Sequence, residues 1–449
     1  MTIRVPLSRR SFRAGTLAAL AALACGVAAF PAEAQDGEDG EEGAEGADAP
    51  APTMDDALEQ SDPKGVLGVK LPRSWKVLKR DSPDKGELAI FQGLYTTMDA
   101  GAVVLSVDGR SSRASLSLWN HIGSGKIDPA AARSGSGWVE GCSVESEGDR
   151  PGATFARCIE KDGQVYVVRI LCARASFDRV KAMAVQMLDS VKLKGSVPRE
   201  GLPKGWQVKK AGDFDVWTDS EDLGKATRPA TIAGETRAIL VKALKGKPFD
   251  ESRPVMKSFQ NAGRFLEETK AIYGEEHQHA SWDPFARATM IKLMSSEVND
   301  FPGAVRSNAA RQYVVQYFGG DPPPWVSYGI QRYAVVGADS GGKPGEPKKD
   351  WVTRGKSAAS RGKRNFDSWL GSAGGSDIPD VEGAYDELWA WHFFFRHASG
   401  AKKYRKAYDA SLDALRATGD ALAARKAWDG TDFEALTKDF KDWAEKWEP

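Results

Sequence analysis

The chain has 449 residues, with Lys+Arg and Asp+Glu equal at 62 each, so its formal net charge is zero. That length is ample for two cores of ordinary size. Residues 1–34 carry +3 and residues 35–62 carry −11, which leaves +8 on residues 63–449; spread over that length, it is too little to point to nucleic acid.

In chain order, Ser8-Arg9-Arg10-Ser11-Phe12-Arg13 resembles a twin-arginine export signal, and Ala14 to Phe30 is an Ala/Leu run of signal-peptide length rather than a membrane span. Small residues at Ala32-Glu33-Ala34 place cleavage before Gln35, giving a signal peptide over 1–34 and no transmembrane segment after its removal. Cys25 offers a lipoprotein alternative, against which Ala22 stands where a lipobox prefers Leu. Either route predicts an exported protein, periplasmic or extracellular. Residues 35–62 hold eleven acidic residues and no Lys or Arg, a composition that cannot bury enough apolar surface to offset chain entropy and predicts a disordered linker.

Leu71-Pro72-Arg73-Ser74-Trp75 and Leu202-Pro203-Lys204-Gly205-Trp206 each read as a Pro-started turn into a strand anchored by Trp, and mark two domain starts. Over 63–195, strands are predicted at 87–94, 102–107, 138–144, 154–160 and 164–172. A helix from Ser176 buries Phe177, Val180, Ala184, Met187, Leu188 and Val191. An antiparallel sheet capped by helices results. This layout resembles the PsbP or Mog1-type sandwich, which implies binding or assembly more than catalysis. A hairpin turning near Arg150 would set Cys142 opposite Cys158, and an oxidising compartment predicts a disulfide between them. Cys172 is then a buried thiol, and without a Cys-x-x-Cys pair or nearby His the three do not suggest a metal site.

Residues 200–449 begin as α+β and finish helical, so the fold class is α+β throughout. Strands are predicted at 214–218, 238–241 and 288–293, and helices at 254–272, 308–318 and 325–335. A Gly/Lys-rich basic loop over 337–365 and three helices follow, the last with a Thr431-x-x-Glu434 capping box. The loop's eight Lys or Arg residues between Lys343 and Arg364 read as a solvated insertion.

Arg311-Gln312-Tyr313-Val314-Val315, then Pro324-Trp325-Val326-Ser327-Tyr328-Gly329, resembles the gluzincin (peptidase MA-like) zinc site with its zinc chemistry removed. The Trp325-x-x-x-Gly329-x-x-x-Tyr333 frame, the Tyr385 to Trp391 helix and the Gly430 to Glu434 segment support the same resemblance. It implies a zincin-like domain with a small sheet and a mostly helical subdomain. Arg311 would fall at the first His, Gln312 at the catalytic Glu, Val315 at the second His and Tyr328 at the third ligand. Arg332 would fall at the carboxylate that steadies a ligand His. None of these suits zinc: Arg cannot lend a lone pair, Val has no donor, and a carboxamide cannot take a proton from metal-bound water. Neither a metal nor a cofactor is expected.

Other motifs carry less. His277-x-His279 beside Glu275 and Glu276 lacks a partner pair, and His392 and His397 lie five apart on an aromatic helix. The functional expectation is an exported, non-catalytic binding or scaffold protein built on an inactivated metallopeptidase fold. Its partner would be a peptide or envelope protein, with Arg311, Gln312, Val315, Tyr328 and Arg332 lining the former catalytic cleft. An extracytoplasmic hydrolase with a non-zinc mechanism or an unrecognised metal site is the alternative.

Overall fold

Alternating apolar residues build the first sheet. Strands β1 (Leu58–Ser61), β2 (Leu67–Leu71), β3 (Lys76–Val77), β4 (Glu87–Leu94) and β5 (Ala100–Asp108) lead into helix α1 (Ala114–Ile122). β6 (Lys126–Ile127), β7 (Arg133–Gly135), β8 (Trp138–Val144), β9 (Gly152–Lys161) and β10 (Gln164–Ala173) follow, then helix α2 (Phe177–Asp189) and β11 (Lys192–Leu193). This computed structural model describes residues 54–78, 85–94, 100–122, 126–127, 132–144, 152–295, 301–362, 364–371 and 381–448. The expected signal peptide, with Cys25, and most of the acidic linker lie outside the described residues. The linker's end is not disordered, because β1 pairs antiparallel with β2.

The main sheet of this domain runs β3-β4-β5-β10-β9-β8-β6, with β7 on β8, all antiparallel. β1-β2-β11 form a small second sheet. Helix α2 buries Phe177, Val180, Ala184, Met187 and Leu188 on one face, as its spacing predicts. Helix α1 covers the other face.

The expected Cys142–Cys158 disulfide is overturned by register. Cys142 pairs with Phe155 and Cys158 with Val139. Cys158 lies three positions beyond Phe155 on β9, an odd offset, so the two cysteines point to opposite faces of the sheet. Cys142 lies in the α2-side core with Phe155 and Phe177, and Cys158 with Ala114, Val165 and Val167 under α1. No bond joins them.

The second domain adds β12 (Gln207–Ala211), β13 (Phe214–Thr218), α3 (Leu223–Ala243), β14 (Val255–Phe259), α4 (Ala262–Tyr273), β15 (Ala280–Asp283) and β16 (Ala288–Lys292). The sheet order is β12-β13-β14-β16-β15, parallel across β13, β14 and β16 and antiparallel at both edges. Two expectations change here. Residues 238–241 are helical, because Ala226, Ala230, Ala233, Ile239 and Leu240 share the buried face of α3. The 254–272 helix is instead β14 followed by α4, which starts afresh at the Asn261 cap, whose side chain accepts from Arg264 N.

Helices α5 (Phe301–Phe318), α6 (Pro324–Asp339), α7 (Lys349–Arg361), α8 (Phe366–Leu370), α9 (Val381–His397), α10 (Lys402–Thr418), α11 (Ala421–Lys426) and α12 (Phe433–Lys446) complete the chain. The expected basic loop is largely α7: Val352, Gly355 and Ala359 recur at helical spacing and face inward, leaving the cations outside. The last helix is capped by Asp432, which accepts from Glu434 N and Ala435 N, and not by Thr431. The helical core is aromatic, with Trp389, Trp391, Phe394 and Phe395 of α9 all within 1 % of full burial. Gly329 lets α6 approach α9, since a Cβ there would sit 2.8 Å from the Leu388 carbonyl.

The two domains share a seam built from side chains of both. Leu116 and Trp119 of α1 belong to the helical core. Arg113 donates to the carbonyls of Arg416 and Ala417 (both 2.6 Å) at the end of α10. Ser112 donates its N–H and its Oγ to the Gly319 carbonyl at the end of α5 (both 2.9 Å). These donors satisfy helix C-termini that would otherwise be left without partners.

Candidate functional site

Helix α5 lies against β15 and β16 with α6 beside it, so the residues singled out by the sequence are distributed around one helix. Arg311 projects toward the Gly319-Gly320-Asp321 connector, where its Nη2 meets Asp321 Oδ2 at 2.7 Å. Ser327, in the first turn of α6, donates to the other oxygen of Asp321 (3.3 Å). The Asp321 main-chain carbonyl accepts from Asn120 Nδ2 of α1 (3.1 Å), which ties the first domain to this point. Arg311 keeps 29 % of its side chain accessible, yet burial is the largest single influence on its acidity, pulling the guanidinium down before Asp321 outweighs it and holds it above its usual range.

Tyr273, Tyr328 and Tyr385 lie within electrostatic reach of the guanidinium. Tyr328 of α6 stacks on Tyr385 of α9, ring centroids 4.0 Å apart and 14° from parallel. Tyr273, the last residue of α4, stacks with His277 at 4.6 Å and donates to the Trp282 carbonyl of β15. Burial raises the phenols of Tyr273, Tyr328 and Tyr385 above their usual range, with Arg311 opposing it in each case. Burial also lowers His277, against the pull of Glu275. At neutral pH the phenols are protonated and the imidazole is neutral.

Of the five expected cleft residues, Arg311 and Tyr328 lie within electrostatic reach of each other. Val315 is buried one turn further along α5. Arg332 lies one turn beyond Tyr328, paired with Asp386 (3.1 Å), its guanidinium 5.4 Å from the Tyr385 ring. Gln312 does not line the cleft. Its Oε1 accepts from Thr289 Oγ1 (3.0 Å), and its Nε2 donates to the Val255 and Arg287 carbonyls (both 2.9 Å), bracing α5 to the sheet. An α-helix turns about 100° per residue, so a neighbour of Arg311 faces the sheet while Arg311 faces Asp321 of the connector. Asp321, Tyr273 and Asn120 were missed by sequence reasoning, while His277 was read only as part of an unpartnered His-x-His and Tyr385 only as part of a helix. Only Asp321, sitting just before the prolines that start α6, carried a local signal.

Other polar groups are assembled nearby. Ser281 Oγ lies 2.7 Å from His277 Nδ1, and His277 Nε2 lies 3.8 Å from Glu275. The order is that of nucleophile, base and acid, but Ser281 is only 2 % exposed and the acid stands beyond hydrogen-bond distance. Glu200, Glu268 and Asp283 bring carboxylate oxygens within 4.8 Å of one another. Two ammonium groups already fill the space between them: Lys257 Nζ lies 2.5 Å from Asp283 and 2.9 Å from Glu200, and Lys85 Nζ lies 2.6 Å from Glu268. Two surface concavities lie elsewhere, one lined by Lys204, Asp219, Gln260 and Arg264, the other between Gly212 and α3. Among the described residues no helix is long and apolar enough to cross a membrane.

No family model matches the chain, and no curated protein matches it. Among solved structures it is similar to the Ran-binding protein Mog1p of Saccharomyces cerevisiae at 11 % identity, TM-score 0.25, over 31 % of this chain and 96 % of that one. It is similar to cyanobacterial PsbP (CyanoP) of Synechocystis at 14 % identity, TM-score 0.24, over 34 % and 98 %. A protein of Bacteroides thetaiotaomicron matches at 7 % identity, TM-score 0.22, over 63 % and 78 %. A weak PsbP/Mog1 resemblance is what these comparisons support.

Proposed function

We propose that this is an exported, non-catalytic binding or scaffold protein whose second domain is a metallopeptidase-like (gluzincin-like) fold that has lost its zinc chemistry. The observation that carries this reading is the Arg311–Asp321 ion pair at the junction of α5 and α6. In the gluzincin alignment Arg311 falls at the first His ligand, and its guanidinium is held by Asp321. Arg311 offers several donors and Asp321 several acceptor sites, which suits them to the C=O and N–H groups of an extended chain. Tyr328, Tyr385, Tyr273 and His277 supply apolar walls with polar tips. Gln312, in the place of the general base, is committed to the sheet. A peptide or envelope protein is the proposed partner, and the twin-arginine-like segment supports export.

The test is metal analysis and peptide cleavage on the exported full chain. The expected result is substoichiometric zinc and no chelator-sensitive cleavage; stoichiometric zinc with cleavage abolished by a chelator would overturn the reading.

A further inference from the structure

Strands β13 and β14 run parallel side by side, with Thr218 level with Ser258 at their carboxyl ends. From there the chain departs toward opposite faces of the sheet. Helix α3, which follows β13, packs with Met256 of β14 and Ile291 of β16, whereas helix α4, which follows β14, packs with Phe259 and Met290 on the other side. Where neighbouring parallel strands send their connections to opposite faces, a hollow opens beyond the strand ends, and in open α/β sheets that is where ligands bind. Here the hollow measures about 460 Å³. It is lined by Asp219 after β13, by Gln260, Asn261 and Arg264 after β14, and by Lys204 and Gly205 of the turn before β12. That turn is held in place by Trp206, whose N–H donates to the Pro203 carbonyl (3.1 Å) and whose ring meets Phe259 edge-on at 4.8 Å.

The charges of the lining do not balance. Asp219 is its one carboxylate, with a side chain 10 % accessible; Oδ1 accepts the Gln260 N–H (2.6 Å), and Oδ2 lies 3.9 Å from Arg264 Nη1, beyond hydrogen-bond distance. Lys204 has no ion-pair partner among the described residues. Two cations therefore face one carboxylate. Asn261 Oδ1 accepts from Arg264 N (3.2 Å) and Gln260 Oε1 from Ser220 Oγ (3.3 Å), which leaves the side-chain NH2 of each amide to donate elsewhere.

We propose that this hollow binds the phosphate group of a small anionic ligand, held by Lys204 and Arg264 with Gln260 and Asn261 donating beside them. The donors come from separate segments of chain around the space, an arrangement that suits a tetrahedral group with several acceptor oxygens better than a planar carboxylate. The site goes beyond the role proposed above and shares no residue with the Arg311–Asp321 pair.

The experiment is calorimetric titration of the full chain, in a zwitterionic buffer, with inorganic phosphate, glycerol phosphate, acetate and glycerol. Phosphate-bearing probes should bind at a single site, acetate about tenfold more weakly, and glycerol not at all. Tighter binding of glycerol phosphate than of inorganic phosphate identifies an esterified ligand, and the reverse a free one. Lys204→Gln and Arg264→Gln should each weaken phosphate binding about tenfold, the effect of one charge-assisted contact. Asp219→Asn keeps an acceptor for the Gln260 N–H and removes the competing negative charge, so it should tighten phosphate binding several-fold, a gain that damage to the fold would not produce. No binding of either phosphate, equal binding of acetate, affinity unchanged in Lys204→Gln and Arg264→Gln, or weaker binding in Asp219→Asn would each overturn the proposal, and none of these results bears on the reading of Arg311.

Discussion

Replacing Gln312 by Glu separates a cleft-lining residue from a structural brace. The parent amide can sit only one way, because two carbonyls, of Val255 and Arg287, demand its N–H groups and Thr289 must then donate to its oxygen. At about pH 4 the introduced carboxyl is protonated and has one O–H to offer two carbonyls, and the orphaned one costs about 1–3 kcal/mol. At about pH 7 the ionised form has no donor. Both carbonyls lose their partner and a charge is buried at a site 1 % exposed, for a total of about 3–5 kcal/mol. The sign is fixed by burial: the carboxyl's folded-state pKa rises above its unfolded value of about 4.3. The extra loss is therefore absent below about pH 4.3 and grows by about 1.4 kcal/mol per pH unit until the raised value is reached. Gln312→Met has nothing to titrate, so its loss should be the same at both pH values. Urea unfolding at each pH, read from midpoint and slope, measures these differences. If Gln312→Glu stays within about 0.5 kcal/mol of the parent at both pH values, the amide does not face the sheet and the cleft-lining assignment returns.

Three further outcomes are expected. Arg113→Met removes the donors that close α10 and should cost about 2–4 kcal/mol, with faster proteolytic cutting between the domains; unchanged proteolysis would show that the seam does not depend on Arg113. Lys257→Met leaves three carboxylates facing Lys85 alone, at a cost of about 3–5 kcal/mol. Burial pulls the Lys257 ammonium down, but Asp283, Glu200 and Glu268 outweigh it and raise it. Its contribution should therefore be fully present below about pH 10.4 and be lost only as pH climbs through the raised value; a loss confined to acid conditions in the melting curves would contradict this. Cys142, Cys158 and Cys172 should resist a thiol reagent in the native protein, react on unfolding, and leave the melting temperature unchanged by a reductant, since all three are buried and burial pushes the Cys158 thiol up. A melting temperature lowered by reductant would restore the disulfide.

Local pattern carried far where one helix face or one strand face met a single core. The helix from Phe177 was legible because its apolar residues recur at helical spacing, and the strands at 87–94, 138–144 and 164–173 because short runs rich in apolar residues follow Gly-containing turns. Both Leu-Pro-x-x-Trp phrases proved to be turns closed by the same bond, from Trp75 N to the Pro72 carbonyl and from Trp206 N to the Pro203 carbonyl. The strand expected at 238–241 failed because four consecutive apolar residues have no period of their own, and the Ala face of α3 claimed them.

The sequence by itself determined the α+β composition, the two Leu-Pro-x-x-Trp turns, and a helix–connector–helix unit bearing Arg311 and Tyr328. Only the tertiary structure decided that Cys142 and Cys158 lie on opposite faces, because strand register is set by both partners and a hairpin with an unknown turn leaves it open. It also decided that Gln312 braces the sheet and that Asp321, Tyr385, Tyr273 and Asn120 gather around Arg311. Asn120 and Arg311 both bond Asp321 because helices far apart in the chain pack there, and contacts across such separations leave no periodicity in the chain to be read.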